Sequence, residues 1–282
     1  MILITGATGT VGRRTTRILL REGHRVRLLV RDASRLPEPG TTAEVAVGDF
    51  DDEASLSRAM TGVRAVLVVT GDPTRPEQDV HMVRAARRAD VRHLVKLSAL
   101  AVTDGQAQDL VTRWQRTAED CVRASGLDWT LLRPRAFMTN TLSWAPDVKA
   151  TGTVRHWPGD APSASVDPAD VAAVAARALT EPGHAGQAYA LTGPEALTAR
   201  EQTRILARAV GRPLLFVERS REETSRSLHR RFGAPVAQAL LESAERQLSG
   251  AKCQVEDTVE RILGRTASDY AAWADRHAGA FR

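Results

Sequence analysis

The sequence predicts an α/β protein built on a doubly wound parallel sheet, with a smaller α/β lobe towards the C-terminus. Two observations lead there. Short apolar segments of strand length, "MILIT", "RVRLLV", "AEVAVGD", "AVLVVTG", "HLVKLSA" and "WTLLRP", alternate with amphipathic segments of helical length. The first of them is followed by a glycine-rich turn, "ITGATGTVG" (residues 4–12), that leads into a helix pattern.

Taken in order, "MILIT" is the first strand and "RRTTRILLRE" the first crossover helix. "EASLSRAMTG" and "QDVHMVRAARRAD" supply the next helices, each bounded by Gly, Asp or Pro. After "LLRPRAFMTN" (131–140) the rhythm changes. A polar loop, "KATGTVRHWPGDAPSASVD", precedes the helix "PADVAAVAARALTE", a strand "QAYALTG", a helix from "TAREQTRILARAVG", a strand "PLLFVE" and a mainly helical remainder. The expected plan is a Rossmann-type domain over residues 1–135, to which elements at about 160–195 return, and a substrate-binding lobe over 136–282.

Composition narrows the function classes. The 282 residues carry 39 basic against 34 acidic side chains, a net charge of +5 without a long basic run, so nucleic-acid binding is not expected. No apolar run approaches the roughly 20 residues of a membrane-spanning helix. "MILITGATG" reads as a strand and not a secretion signal, so a cytoplasmic protein is expected. Cys121 and Cys253 stand far apart without metal-ligand spacing, so neither a disulfide framework nor a metal site is expected. Lysine occurs only at 96, 149 and 252 among many arginines and alanines, the usage of a GC-rich bacterium.

Gly6, Gly9 and Gly12 set a G-x-x-G-x-x-G pattern between strand and helix. Backbone can there approach a pyrophosphate, and the N–H groups of Thr8, Thr10 and Val11 lie at the helix start. An NAD-selective fold places an acid about 20 residues on, for the ribose 2′-hydroxyl. Arg31 stands there instead, and a guanidinium suits the 2′-phosphate of NADP, so NADPH is expected over NADH. Arg13 and Arg35 add to that patch or are surface charges; Asp32 next door argues the other way. Asp49 and Phe50 end the third strand beside the expected adenine, and Thr70 and Gly71 close the fourth at the crevice edge.

The usual proton-donating dyad of short-chain dehydrogenases, Tyr-x-x-x-Lys, is missing. Only Tyr189 and Tyr270 occur, and neither has lysine four residues later. In its place, "DLVTRWQRTAEDCVRASG" puts Trp114 on an apolar stripe, with Gln115 and Glu119 sharing a flank at i and i+4. That flank faces either the crevice or solvent.

Together with "LLVRD", "GDFDDEASL", "HLVKLSAL", "FMTN", "VDPADVAAVAARALTEPGHAGQAYALTGPEALT" and "ASDYAAWADRHAGAF", these segments resemble the NmrA-like branch of the atypical short-chain dehydrogenases. That branch includes type 2 NADPH:quinone oxidoreductases and triphenylmethane reductases, and the resemblance runs nearly the full length. The family carries His-x-x-x-Glu on this helix, so Glu119 matches while Gln115 replaces the histidine. The resemblance further implies Lys96 and Ser98 at the end of the fifth strand, Pro134 beside the nicotinamide, and Phe137 and Asn140 on the substrate side. Lys96, Gln115, Glu119 and Asn140 are then the catalytic candidates, and Trp114, Phe137 and Asn140 the pocket walls. Ser98 also reads as a backbone partner, Phe137 as core and Asn140 as a helix cap.

Hydride delivery to an isolated ketone makes a strongly basic alkoxide that needs an acid. A quinone, aromatic polyketide or cationic dye leaves a far less basic product. An NADPH-dependent reductase of a conjugated small molecule, monomeric or homodimeric, is therefore expected. The alternatives are a non-catalytic NADP-binding redox sensor, and an isomerase or dehydratase drawing on Glu119, His81 or His156 as base.

Overall fold

The computed structural model describes residues 1–35 and 42–282, the side chain of Arg35 excepted. In chain order the elements are β1 (Ile2–Ile4), α1 (Thr10–Arg21), β2 (Val26–Val30), β3 (Glu44–Val47), α2 (Glu53–Met60), β4 (Ala65–Val68), α3 (Glu77–Arg88), β5 (His93–Leu97), α4 (Leu110–Arg123) and β6 (Asp128–Pro134). There follow α5 (Ala145–Thr151), β7 (Thr153–His156), α6 (Pro168–Thr180), β8 (Gln187–Leu191), α7 (Ala199–Val210) and β9 (Leu215–Glu218). The chain closes with α8 (Arg221–Arg231), α9 (Ala234–Leu248), α10 (Thr258–Leu263) and α11 (Tyr270–His277).

The chain forms two compact units. The first comprises residues 1–99, 114–133 and 171–190, the second 100–113, 134–170 and 191–282. Residues 100–113 belong with the second unit, and most of α6 and β8, within the segment expected to return, with the first.

Seven strands make the first unit's sheet in the order β3-β2-β1-β4-β5-β6-β8. Ile2 pairs in parallel with both Val26 and Ala65, so β1 and β4 flank the point where the winding reverses. In such sheets the ligand crevice lies at the carboxyl ends of those strands. β1 and β4 are buried along their whole length, which explains their unbroken apolar sequences. Leu3, Val66 and Leu94 pack there against Leu56 and Met60 of α2 and Met82 and Ala86 of α3.

The second unit has its own core, in which Met138, Trp144, Val154, Leu206, Tyr270, Trp273 and Phe281 are all buried. The 149–167 segment, expected as a polar loop, contains β7, which pairs in parallel with β9 from Thr153↔Leu215 to His156↔Glu218. Four residues whose partner strand lies some sixty positions on carry little local signal. α7 begins with a reciprocal cap: Glu201 N–H donates to Thr198 Oγ1, and the Glu201 carboxylate accepts from Thr198 N–H. Thr198→Ala is expected to lower stability by about 1 kcal/mol, read from the urea midpoint at constant slope.

Among the described residues no helix is long and apolar enough to cross a membrane. No cluster of three or more His, Cys, Asp or Glu side chains suited to a metal ion occurs among them either.

Candidate functional site

The carboxyl ends of β1, β2, β3 and β4 open onto a cleft of about 460 Å³, lined at its base by Gly6, Ala7, Thr8 and Gly9. Gly6 has φ +60°, a left-handed conformation that a side chain strains, and its N-terminal turn is closed by Gly9 N–H donating to Gly6 O at 2.9 Å. A Cβ on Gly12 would come within 2.4 Å of Gly6 O, so glycine there lets α1 pack directly on the turn. Val11 is buried in the core; its contribution to the cradle is its backbone at the start of α1, beside Thr10.

Whether these residues suit a dinucleotide is answered by that helix start. Gly9 is the N-cap and supplies no side-chain hydrogen bond, and the first turn of α1 holds no acidic residue. Uncapped N–H groups at the end of a 12-residue helix, with the positive end of its dipole, form an anion cradle. The residues fit a pyrophosphate.

The residues expected on the adenosine side lie together. Arg31, Asp32, Asp49 and Phe50 line the same cleft. Arg31 is exposed and has no ion-pair partner among the described residues. Asp32 Oδ1 instead accepts from Ser34 N–H at 2.9 Å and Ser34 Oγ at 2.7 Å. Asp49 Oδ1 accepts from Asp51 N–H, and Phe50 O pairs with His81 Nδ1 at 2.8 Å, so His81 holds the loop and is no free base. The expectation for Arg35 falls on a side chain outside the described residues.

Thr70 and Gly71 border the cleft as expected, but the segment after them was not foreseen. Asp72, Arg75 and Gln78 line it too. Arg75 pairs with Asp51 at 2.6 Å, and Gln78 Nε2 donates to Asp51 Oδ1, which ties this segment to the loop after β3. The polar run "GDPTRPEQ" directly after a buried strand was the available signal.

Lys96, expected to polarise an acceptor oxygen, is corrected to an interior role. It is 0% exposed; Nζ donates to Leu97 O at 2.7 Å and Thr70 Oγ1 at 3.2 Å and lies 3.4 Å from Asp79 Oδ1. All three ammonium protons thus have acceptors. Burial lowers its pKa, against the opposing charge of Asp79. Trp114, expected as a pocket wall, is buried in the same cluster, its Nε1 donating to Asp79 Oδ2 at 2.8 Å and its ring 5.4 Å from Lys96 Nζ.

Glu119 is likewise a structural carboxylate. It accepts from Arg133 at 2.8 and 2.6 Å, from Arg123 at 3.0 Å and from Ser98 Oγ at 2.7 Å. Ser98, expected at the cofactor, spends its hydroxyl on this pair. Burial pushes the Glu119 pKa up, but the hydrogen bonds from Arg133 and Ser98 and the arginine charges outweigh it, and the net direction is down. A depressed carboxylate stabilises the fold above its unfolded pKa, and that stability is lost as pH falls through the lower folded value. Acid denaturation is therefore expected to set in below pH 4.5 and to shift for Glu119→Gln, followed by circular dichroism. Gln115 is buried beside this cluster with Oε1 lacking a hydrogen-bond partner.

In the second unit, Phe137 and Asn140 line a pocket with Trp144 and Trp157. Pro134 is buried at the end of β6. Neither tyrosine is available as an acid. Tyr270 donates to Thr141 Oγ1 at 3.1 Å and burial raises its pKa strongly, while Tyr189 pairs with His184 Nδ1 at 2.8 Å.

A parallel sheet with an open anion cradle at its first crossover defines a dinucleotide-binding protein of the atypical short-chain oxidoreductase class. The chain belongs to the NAD(P)H-binding family, whose model matches residues 6–182. It is 52% identical over 281 residues to the (4-alkanoyl-5-oxo-2,5-dihydrofuran-3-yl)methyl phosphate reductase of Streptomyces griseus, covering 100% of this chain and 99% of that one. It is 35% identical over 288 residues to the NAD(P)H azoreductase of Xenophilus azovorans, covering 100% and 99%. Among solved structures, the NADPH-dependent quinone oxidoreductase of Escherichia coli in complex with NADPH superposes with a TM-score of 0.87 at 26% identity, over 98% of this chain and 99% of that one. The NmrA-like resemblance and the Rossmann-type fold thus hold, and the chain is an NAD(P)H-dependent oxidoreductase.

Proposed function

We propose that this protein is an NADPH-dependent reductase of a small conjugated acceptor, in which hydride goes to a carbon whose product anion is spread over one or more carbonyl groups. The observation that carries this is that the two tyrosines and the sequence-expected candidates Lys96 and Glu119 are all engaged among the described residues. Both tyrosines are bonded elsewhere, Lys96 is sealed in the interior, and Glu119 is held by two arginines. A reaction that leaves a weakly basic anion can take its proton from water. Quinones and aromatic polyketides satisfy this. So does a ring alkene flanked by a ketone and a lactone carbonyl, the class suggested by the name of the Streptomyces griseus relative.

When bound, NADPH supplies the hydride. The chain's own part is to hold and orient. The glycine turn and the start of α1 receive the pyrophosphate, Arg31 the 2′-phosphate, and Asp49 and Phe50 the adenine. Phe137 and Trp144 offer flat apolar surface to the acceptor, and Asn140 an amide donor.

The bases that a non-redox isomerase or dehydratase would draw on, Glu119, His81 and His156, are engaged or buried. His156 is packed edge-on against Trp144 at 5.6 Å, and burial lowers its pKa to about 4. Mixing the protein with NADPH and a panel of quinones, doubly activated enones and dyes tests the proposal by loss of the reduced-cofactor absorbance. Acceptor-dependent loss is expected. Tight NADPH binding with no turnover on any acceptor would overturn it in favour of a sensor.

A further inference from the structure

The second unit's pocket, about 350 Å³, has an unusual chemistry for an apolar binding site. Phe137, Trp144 and Trp157 give it aromatic walls, yet no aspartate or glutamate is among its lining residues, and one of the chain's three lysines, Lys252, is. Lys252 Nζ donates to Ser243 Oγ at 2.8 Å and has no carboxylate within ion-pair distance among the described residues. The acid that acts on Lys252, Asp109, and the acid beside Arg246, Asp104, are committed elsewhere. Asp109 accepts from Thr112 N–H and Oγ1, and Asp104 pairs with Arg246.

Two further donors on the pocket lining lack partners. Ser163 is only 6% exposed and its Oγ has no hydrogen bond, and the buried Oγ1 of Thr224 has none either. Buried polar groups are normally satisfied, so orphans on a cavity wall mark a place built for a ligand. A cation without a counter-ion and two idle hydroxyl donors call for an anion with several oxygens. An uncharged ligand would leave the ammonium partly desolvated and unpaired.

We propose that this pocket holds a phosphate monoester carried by the acceptor, with Lys252 as its ion partner and Ser163 and Thr224 as hydroxyl donors. The proposal rests on the reductase reading; a phosphate ester is already part of the name of the Streptomyces griseus relative, and what the pocket adds is which residues of this chain would hold such a group. Lys252 is then the residue that separates phosphorylated acceptors from their free alcohols.

The charge on Lys252 is finely set. Burial, then the positive charges of Arg135 and Arg246 against the opposing Asp109, brings its pKa down to about 8; His156 on the same pocket wall, lowered to about 4 by burial and by Arg219 and Lys252, stays neutral over this range. A phosphate monoester becomes a dianion above pH about 6. Affinity is thus expected to be greatest between the two values and to fall as pH rises through about 8, where the amine loses its proton.

The test uses enzyme saturated with NADP⁺, so that phosphate cannot occupy the cofactor cradle, titrated calorimetrically with phenyl phosphate and with benzyl alcohol. Phenyl phosphate is expected to bind at least about ten-fold more tightly, a preference that Lys252→Met abolishes without changing NADP⁺ affinity or the melting temperature. Ser163→Ala and Thr224→Val, which keep the charge, are expected to weaken phenyl phosphate several-fold each and serve if the lysine variant does not fold. Equal binding of the two ligands by the wild type, or undiminished phosphate binding by all the variants, overturns the assignment. Wild-type NADPH oxidation by menadione, which carries no phosphate, is followed separately: its failure together with that of the wider acceptor panel sinks the reductase reading, while phosphate binding still decides the pocket.

Discussion

Asp79→Ala is expected to destabilise the protein by about 3–5 kcal/mol, the cost of leaving a buried charge without its partner. The carboxylate is 2% exposed and does three things at once: it faces Lys96 Nζ at 3.4 Å, accepts from Thr70 Oγ1 at 2.9 Å and accepts from Trp114 Nε1 at 2.8 Å. Alanine removes all three. The indole N–H and the ammonium, both inside the fold, are left to find acceptors that are not there. Against a total stability of roughly 5–15 kcal/mol this is a large share. Urea unfolding with unchanged slope reads it directly, and adding Lys96→Met to Asp79→Ala is expected to recover part of the loss, because the second change removes the stranded charge. A loss under about 1 kcal/mol would mean that Lys96 is neutral in the folded protein.

Arg31→Ala is expected to weaken NADPH binding roughly 10- to 100-fold while NADH changes by no more than about two-fold, because one or two charge-assisted hydrogen bonds to the 2′-phosphate are lost and the bare ribose had none to lose. The guanidinium is exposed on the cleft wall, directly after β2, and no carboxylate among the described residues pairs with it. Its exposure makes the effect salt-sensitive, so the difference between the two cofactors is expected to shrink at high ionic strength. Equal losses for both cofactors would remove Arg31 from the selection. Fluorescence titration of the purified protein with each cofactor separates the outcomes.

The two residues differ in how visible they were beforehand. Arg31 could be placed from its distance to the glycine turn, since strand, turn and helix are short-range patterns and the next strand's end follows at a set spacing. Asp79 could not. It sits in "QDVHMV", an ordinary stretch of amphipathic helix, and its partner Trp114 lies 35 positions further on. The same limit applied to Gln115 and Glu119. Their i and i+4 spacing put them on one flank, but that flank turned out to be buried, with Glu119 closed off by Arg133, 14 residues away on the next strand. Lys252 and Ser163 carried no motif at all.

What the amino-acid order by itself determined is whatever depends on near neighbours: the strand and helix rhythm, the turn of Gly6, Gly9 and Gly12, the arginine directly after the second strand and the lack of a Tyr-x-x-x-Lys dyad. Only the tertiary structure decided which charged groups are consumed in the interior and which remain on a cavity wall. Lys96 is used up by Asp79 and Glu119 by Arg133, whereas Arg31 and Lys252 have no counter-ion among the described residues. The physical reason is that the fate of a charge depends on burial and on the nearest opposite charge in space, and both are set by packing between segments distant in the chain.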